Sequence, residues 1–529
     1  MNKPWHKFYS KGLSKEIDVP LVGLFTLLEE SAFNYPEAIA VLDAEREFTY
    51  EQLKLAVDKF SSALYKQGFR KGDRMAIMLP NSVEYIISYF SILRLGGIIC
   101  QVNPMYQPME LEYILKDSGA TWFISEKSQQ QKLDEIGDVK DRLFIISADE
   151  KSVDDNNLYQ WLKEDYEIIP PIIINPTEDI ALLQYTGGTT GRSKGVMLTH
   201  ANLLVNVHQS NAFQKDIMDI PGERSFGSSP LFHIAGIVGL NAAILNGYTY
   251  IAIRRFRVDQ ALEAIRKYRP TIFPGVPTIF LALVRHPNLK KEDLSSLKVC
   301  ACGTAPLSLE TFRELQSKTD AQIYESFGMS ETLITHRSPL DIEIKEGSVG
   351  IPLPSTDAKI VDLATGLTEV PFGEPGELII KGPQVMKGYW KNEEETNNAL
   401  RDGWMYTGDI ATMDEEGYFF IVGRKKDMII AGGYNIYPTE IEEVLYKHPA
   451  ISEVCVYGVP DAYRGETVKA AIVLRDGQEA TEADIINWCN TYLARYKVPR
   501  LIEFKIELPK TAVGKILRRQ LIKEEKTEV

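Results

Sequence analysis

Eleven consecutive residues, Tyr185-Thr186-Gly187-Gly188-Thr189-Thr190-Gly191-Arg192-Ser193-Lys194-Gly195, hold four glycines, three threonines, one serine and two cations. Glycine lets backbone amides come close to an anion, hydroxyls add donors, and Arg192 and Lys194 add positive charge. That composition suits a polyphosphate. The run Ile180-Ala181-Leu182-Leu183-Gln184 just before it reads as a buried strand, which would present the loop at a strand's end. The spacing does not fit G-x-x-x-x-G-K-[ST], because Arg192 follows Gly191 and Gly195 follows Lys194. Taken alone, the same residues also read as a solvated Gly/Thr hairpin.

The elements that must carry such a loop repeat along the chain: a short β-branched run, a Gly or Pro break, then a helical stretch. Arg74 to Leu79 precedes a helix from about Ser82, and Thr121 to Ser125 is another such strand. The alternation predicts an α/β fold with mostly parallel strands. From about Ser348 short strands with Gly and Pro turns, such as Ala358 to Val361 and Gly376 to Ile380, predict a more antiparallel, β-rich subdomain. After the strand Tyr418 to Val422 comes the charged Gly423-Arg424-Lys425-Lys426-Asp427, and a new α+β pattern begins. Residues 1–423 are therefore read as a large N-terminal domain of layered α/β subdomains plus the β-rich one. Residues 424–529 are read as a small α+β C-terminal domain, which the family resemblance given below makes mobile. Its first helix is expected at Pro438 with a capping box at Thr439-Glu440-Ile441-Glu442, and another over Ala483 to Tyr496.

The 529 residues make about three or four structural units. With 44% hydrophobic and 25% charged residues the chain is globular. A net charge of −14 is the wrong sign for gathering nucleic-acid phosphates, so no nucleic-acid partner is expected and any phosphate must be held locally. Five scattered cysteines make no disulfide framework; Cys300-Ala301-Cys302 is a weak metal motif and reads better as buried thiols. The start of the chain lacks an apolar signal, which points to the cytoplasm. Two apolar stretches imitate membrane spans. Arg94 and Gly96-Gly97 break Tyr85 to Val102, and Asn241 and Asn246-Gly247 break Ile234 to Ile253, so no transmembrane segment is expected.

Tyr185 to Gly195 resembles the signature loop of adenylate-forming enzymes: acyl-CoA synthetases, luciferases and the adenylation domains of peptide synthetases. Further family motifs follow in order: Tyr324-Glu325-Ser326-Phe327-Gly328-Met329-Ser330-Glu331, Gly403 to Asp409 with Thr407-Gly408-Asp409, and Gly423 to Asp427. Gly432-Gly433-Tyr434-Asn435-Ile436-Tyr437-Pro438 and Pro509 to Lys515 complete the set. Two positions depart from it. Phe327 stands where the family has an adenine-stacking tyrosine, and Ser330 replaces a threonine.

The resemblance implies ATP, Mg²⁺ and coenzyme A as the co-substrates and metal of an AMP-forming acid–thiol ligase acting on a small-molecule carboxylic acid. It assigns the phosphates to Thr186, Gly187, Gly188, Thr189, Thr190, Gly191 and Lys194. Gly303, Thr304 and Ala305, with Glu325, Ser326, Phe327, Gly328 and Ser330, would line the nucleotide. Glu331, a hard oxygen ligand, would hold the metal with Thr186 nearby. Asp409 would take the ribose hydroxyls, Arg424 the ribose or phosphate, and Ile421 the adenosine. Lys515, 91 residues beyond Arg424, would be delivered by domain closure to stabilise the adenylation transition state. Lys426 falls on the family's hinge, whose rotation would bring Gly432 and Gly433 to the coenzyme A site. His233 would lie beside the acyl pocket, although a lone histidine in an apolar run also reads as structural.

Asn103 to Leu111 and Leu183 to Thr189 look closest to bacterial medium- and long-chain fatty-acid–CoA ligases. An aryl or other small-acid CoA ligase has the same machinery. The chain stops at Val529 soon after the lysine motif, which fits a free-standing CoA ligase better than a carrier-linked module. A stand-alone acyl-AMP ligase loading a separate carrier protein, and a binding protein without the chemistry, are the other readings. A homodimer is compatible with the sequence, but no dimerisation pattern is visible.

Overall fold

The short runs broken by glycine or proline become the strands of four sheets among the described residues. The computed structural model describes residues 3–9, 13–152, 154–165, 167, 169–186, 193–214, 218–340, 342, 344–461, 463–511 and 514–528. Two sheets are mainly parallel. In the nine-stranded one, Ile39–Asp43, Thr249–Ala252, Arg224–Gly227, Ile272–Gly275, Val299–Cys302 and Gln322–Met329 run parallel, with antiparallel strands at both edges. In the seven-stranded one, Arg74–Met78 lies between Ile98–Gln101 and Trp122–Ser125, and Ile180–Thr186 pairs with Ile98–Gln101. Strands buried on both faces need apolar side chains at successive positions, which explains runs such as Met75 to Met78.

One continuous core joins the two sheets, with Ile77, Ile99 and Leu182 from one and Val41, Tyr250 and Tyr324 from the other. The helix Val83–Arg94 is buried from its first residue to Leu93, and Ser82 caps it by accepting from the Tyr85 amide. Both apolar stretches resolve into a helix followed by a strand: Val83–Arg94 with Ile98–Gln101, and Ile234–Leu245 with Thr249–Ala252. Among the described residues no helix is long and apolar enough to cross a membrane.

The β-rich region is antiparallel, as its turns predict: Asp357–Val361, Gly376–Lys381, Trp404–Met413 and Phe419–Arg424 pair in sequence. The last of these strands runs on through Gly423 to Arg424, because Arg424 pairs with Asp409 across the ladder. Beyond it Tyr434–Ile436, Ile429–Ala431, Gly465–Leu474, Ile451–Asp461 and Leu501–Phe504 form a smaller sheet. The helices Pro438–Tyr446 and Glu482–Tyr492 accompany it, and their apolar residues share its core. The capping box expected at Thr439 is absent. Tyr437 is the N-cap, Pro438 opens the helix, and no side chain caps it. Proline at the first helical position needs no amide partner, which removes one of the donors a cap would serve.

Candidate active site

The strands of both parallel sheets and the smaller C-terminal unit converge on one cavity of about 1130 Å³. The nine-stranded sheet contributes residues at the C-terminal ends of its strands, among them Gly275, Gly303, Thr304 and Ser326. In open α/β sheets such ends are where ligands bind, since helix starts and loops there leave amides unpaired. Thr186 and Lys194 face it from the antiparallel hairpin Ile180–Thr186 with Lys194–Thr199, in which they sit opposite each other. The phosphate-loop residues Gly187, Gly188, Thr189, Thr190 and Gly191, with Arg192, lie outside the described residues.

Glu331 follows the Gln322–Met329 strand and lines the cavity while buried. Its Oε1 accepts from the Tyr389 hydroxyl at 2.9 Å. Burial raises its pKa, opposed by that hydrogen bond and by Arg424. Among the described residues it has no ion-pair partner, so a buried carboxylate faces the cavity with no cation in direct contact. That fits a hard divalent cation carried in with phosphate oxygens, with the Thr186 hydroxyl as a second oxygen donor. No cluster of three potential metal ligands exists among the described residues, so the substrate's own oxygens would complete the shell.

Asp409 is buried and forms an ion pair with Arg424, Oδ1 to Nε at 3.1 Å. Arg424 lines the cavity; Asp409 lies behind it. Lys194 is ion-paired with Glu395 and stands 5.1 Å from the Tyr389 ring centroid.

Lys515 reaches the cavity from the C-terminal unit, its Nζ 3.4 Å from the Thr304 carbonyl. Burial, then the charge of Arg424, brings its ammonium down to about 8. The turn that presents it is closed by Thr511 amide to Lys515 carbonyl at 2.8 Å. Gly514 takes φ +82°, and a Cβ there would lie 2.4 Å from Thr278 Oγ1, so only glycine lets the turn dock on the Pro277–Val284 helix. Thr304 itself has φ +70°, and its buried hydroxyl has no partner. A β-branched residue held in the left-handed region stores about 1–3 kcal/mol of strain and marks a functional constraint.

His233 also lines the cavity. Its Nδ1 accepts from the Ala235 amide at 3.2 Å and so caps the Ile234–Leu245 helix. Burial, with Lys515 nearby, pushes its pKa down to about 4, so the ring is neutral. Lys426 lines the cavity too; partial enclosure and then Arg424 lower its pKa to about 8.

Several assigned residues stand back from the cavity. Glu325 turns to the Leu307 amide at 2.9 Å, and burial raises it to about 7. Phe327 packs edge-on to His336 at 5.9 Å, and Ile421 joins the same cluster. Ser326, Gly328 and Ser330 line the cavity, while Ala305 does not. Gly432 and Gly433 form the tip between Ile429–Ala431 and Tyr434–Ile436, with φ +60° and +84°, away from the cavity.

Sequence reasoning missed Tyr389 and Glu395, which hold Glu331 and Lys194, because neither belongs to a contiguous motif. It also missed the channel beside the Ile234–Leu245 helix. Ala235, Val238, Gly239, Ala242 and Ala243 line it at i, i+3, i+4, i+7 and i+8, one helix face. That spacing of small residues was the available signal.

A hairpin that turns Thr186 and Lys194 to the cavity, a buried carboxylate, and a lysine brought from a second unit are groups that a nucleotide-dependent group transfer needs. Residues 28–390 match the family described as AMP-binding enzyme, and residues 440–515 match the AMP-binding enzyme C-terminal domain. The chain belongs to the AMP-binding enzymes, and the resemblance to acyl-CoA synthetases read from its motifs is borne out.

A long-chain-fatty-acid–CoA ligase of Bacillus subtilis (strain 168) is 43% identical, over 99% of this chain and 98% of its own. One from Escherichia coli O6:H1 is 36% identical, over 100% and 99%. Among solved structures, the anthranilate CoA ligase AuaEII in complex with anthranoyl-AMP has a TM-score of 0.90 at 29% identity, covering 97% of this chain and 99% of that one. ATP-bound MatB from Rhodopseudomonas palustris has a TM-score of 0.88 at 31% identity, covering 95% and 99%. Apo MatB, with the same identity and coverage, scores 0.78.

Proposed function

We propose that this protein is an ATP-dependent fatty-acid–CoA ligase that works through an acyl adenylate. The observation that carries the reading is that Lys515 from the C-terminal unit and the buried Glu331 line one cavity, which continues along the apolar face of the Ile234–Leu245 helix. Full-length likeness to two long-chain-fatty-acid–CoA ligases supports the fatty acid as substrate.

In the first half-reaction a carboxylate oxygen bonds to the α-phosphorus of ATP, the bond to the bridging oxygen breaks, and pyrophosphate leaves. In the second, the coenzyme A sulfur bonds to the acyl carbon, AMP leaves, and the thiol proton passes to solvent. A carboxylate alone is a poor electrophile, so the adenylate is what makes the thioester reachable. Lys515 and Lys194 set positive charge where phosphate charge develops. Magnesium, when bound, would neutralise phosphate charge; Glu331 and Thr186 are the residues to hold it. Arg424 and Asp409 would orient the ribose. The neutral His233 would wall the carboxylate end of the channel without competing for protons.

We assign residues 1–423 to nucleotide and acid binding and 424–529 to a mobile domain turning at Lys426. Gly432 and Gly433 stand away from the cavity in the arrangement that inserts Lys515, which fits a coenzyme A site brought in afterwards. We place the protein in the cytoplasm, where ATP and coenzyme A are supplied.

The test is incubation with ATP, Mg²⁺, coenzyme A and pooled aliphatic and aromatic acids, with products read by mass spectrometry. Acyl-CoA with AMP and pyrophosphate is the expected result. Adenylate without thioester would redirect the reading to a carrier-protein acceptor, and neither product would leave only a binding protein.

A further inference from the structure

The acyl channel does not end in an apolar wall. From Ala235 to Ala243 the helix face lining it spans about 12 Å, and Tyr248 follows at the far end. On the opposite wall Ser225 pairs with Ile272, three residues or about 10 Å down the strand from Gly275. Arg337, the last residue of Leu333–Arg337, lines this far region and is only 4% exposed.

Its Nη1 donates to the Ser210 carbonyl at 3.2 Å and its Nη2 to Gln214 Oε1 at 2.9 Å, and the guanidinium lies 4.4 Å from the Tyr324 ring centroid. Among the described residues its Nε has no partner, and neither do Ser210 Oγ and Tyr248 Oη; all three are buried atoms of residues that line the cavity. Among the described residues no carboxylate pairs with Arg337. Glu223, buried beside Tyr248, is held by Lys298 at 2.6 Å and does not line the cavity. Burial lowers the guanidinium pKa, yet arginine stays charged in proteins. A buried charge without a counter-charge is strongly destabilising, so its presence on a channel wall calls for an anion from outside the chain.

We propose that the far end of the acyl channel is a carboxylate subsite, and that the preferred acid is a chain of medium length bearing a second carboxylate at its far end. Nε and Nη2 together match the two oxygens of a carboxylate, which would reach them, and the Tyr248 and Ser210 hydroxyls, by parting the side chains that cover them from the channel. The inference rests on the acid–CoA ligase reading and narrows its substrate.

The experiment compares matched pairs, nonanoic with azelaic, decanoic with sebacic and dodecanoic with dodecanedioic acid, by kcat/KM for acyl-CoA formation and by calorimetric binding. The wild type should favour the diacid of each pair by about tenfold or more, the size of one charge-assisted hydrogen bond pair. Arg337→Met should bring the ratio to about one or below. Gln214→Glu, nearly isosteric, places a carboxylate on the guanidinium and should do the same, so it decides the matter if Arg337→Met does not fold. A wild-type preference for the monoacids, a ratio unmoved in Gln214→Glu, or equal use of 12-hydroxydodecanoic and dodecanedioic acids would each overturn the anionic subsite. Absence of thioester from every acid would sink the ligase reading instead, and the calorimetric ratio would still judge the subsite.

Discussion

In the proposed reaction Lys515 is the residue on which the first half-reaction turns. Lys515→Ala should lower adenylate formation, followed by pyrophosphate exchange, roughly 10³-fold. Thioester formation from a supplied acyl adenylate should stay near the wild-type rate, and equal losses in both halves would contradict a role confined to adenylation. Its ammonium is lowered from the ordinary lysine value to about 8, so the charged form is present below that pH and is lost above it. The kcat/KM for adenylation should therefore fall on the alkaline side with a midpoint near 8. Lys515→Arg should carry the falling limb upward, since guanidinium holds its proton. Lys515, Glu331 and Arg424, which the structure brings to one cavity, were marked in the sequence because each sits in a short contiguous motif. Arg337, Gln214 and Tyr389 were not, because their meaning comes from partners more than fifty positions away: Arg337 with Gln214, and Tyr389 with Glu331. No local spacing encodes such pairs.

At the scale of elements, the helix Ile234–Leu245 lines the channel, and in the proposed reaction it decides which acids enter. Gly236 and Gly239 lie three residues apart on it and should respond oppositely. A Cβ at Gly236 would sit 2.1 Å from the Pro230 carbonyl oxygen, so Gly236→Ala must displace backbone and should destabilise by about 1–3 kcal/mol. A Cβ at Gly239 meets nothing within 4 Å and opens onto the channel. Gly239→Leu should leave stability within about 1 kcal/mol while shifting acid preference to shorter chains, as thermal melts and a chain-length series would show. Unchanged chain-length preference would mean that acids do not run along this face. The sequence gives this helix its break at Asn246-Gly247 and hence its length. It does not say which helix face meets the strands and which meets open space, because both faces are apolar. The Pro438 helix teaches the complementary lesson: Thr439 and Glu442 have a capping-box spacing, but the proline had already fixed the helix start one residue earlier.

For the whole molecule, the question is what holds the C-terminal unit where Lys515 can act. Arg475 Nη2 pairs with Glu310 at 2.6 Å and with Glu314 at 4.0 Å, and Arg285 Nη1 donates to the Ser452 carbonyl at 3.5 Å, so ion pairs and one backbone contact tie the two units. The arrangement is closer to ATP-bound MatB than to apo MatB, with TM-scores of 0.88 and 0.78. The sequence motifs place Lys515 in a second unit, but these ties could not be read from them, since charged surface residues are common and pair only once the units meet. Each such pair contributes about 0–1 kcal/mol, a bias small enough for the unit to leave after adenylation. Arg475→Ala should therefore lower adenylation a few-fold without lowering thioester formation from supplied acyl adenylate. Lys426→Pro should act in the other direction. It fixes φ in the turn after Arg424, where the chain must swing if Gly432 and Gly433 are to replace Lys515 at the cavity. Rapid-quench assays of the two half-reactions should show thioester formation slowed at least tenfold with adenylation nearly intact. If Lys426→Pro leaves the second half-reaction at its wild-type rate, the swing occurs elsewhere, and the proposed division at 423/424 must move with it.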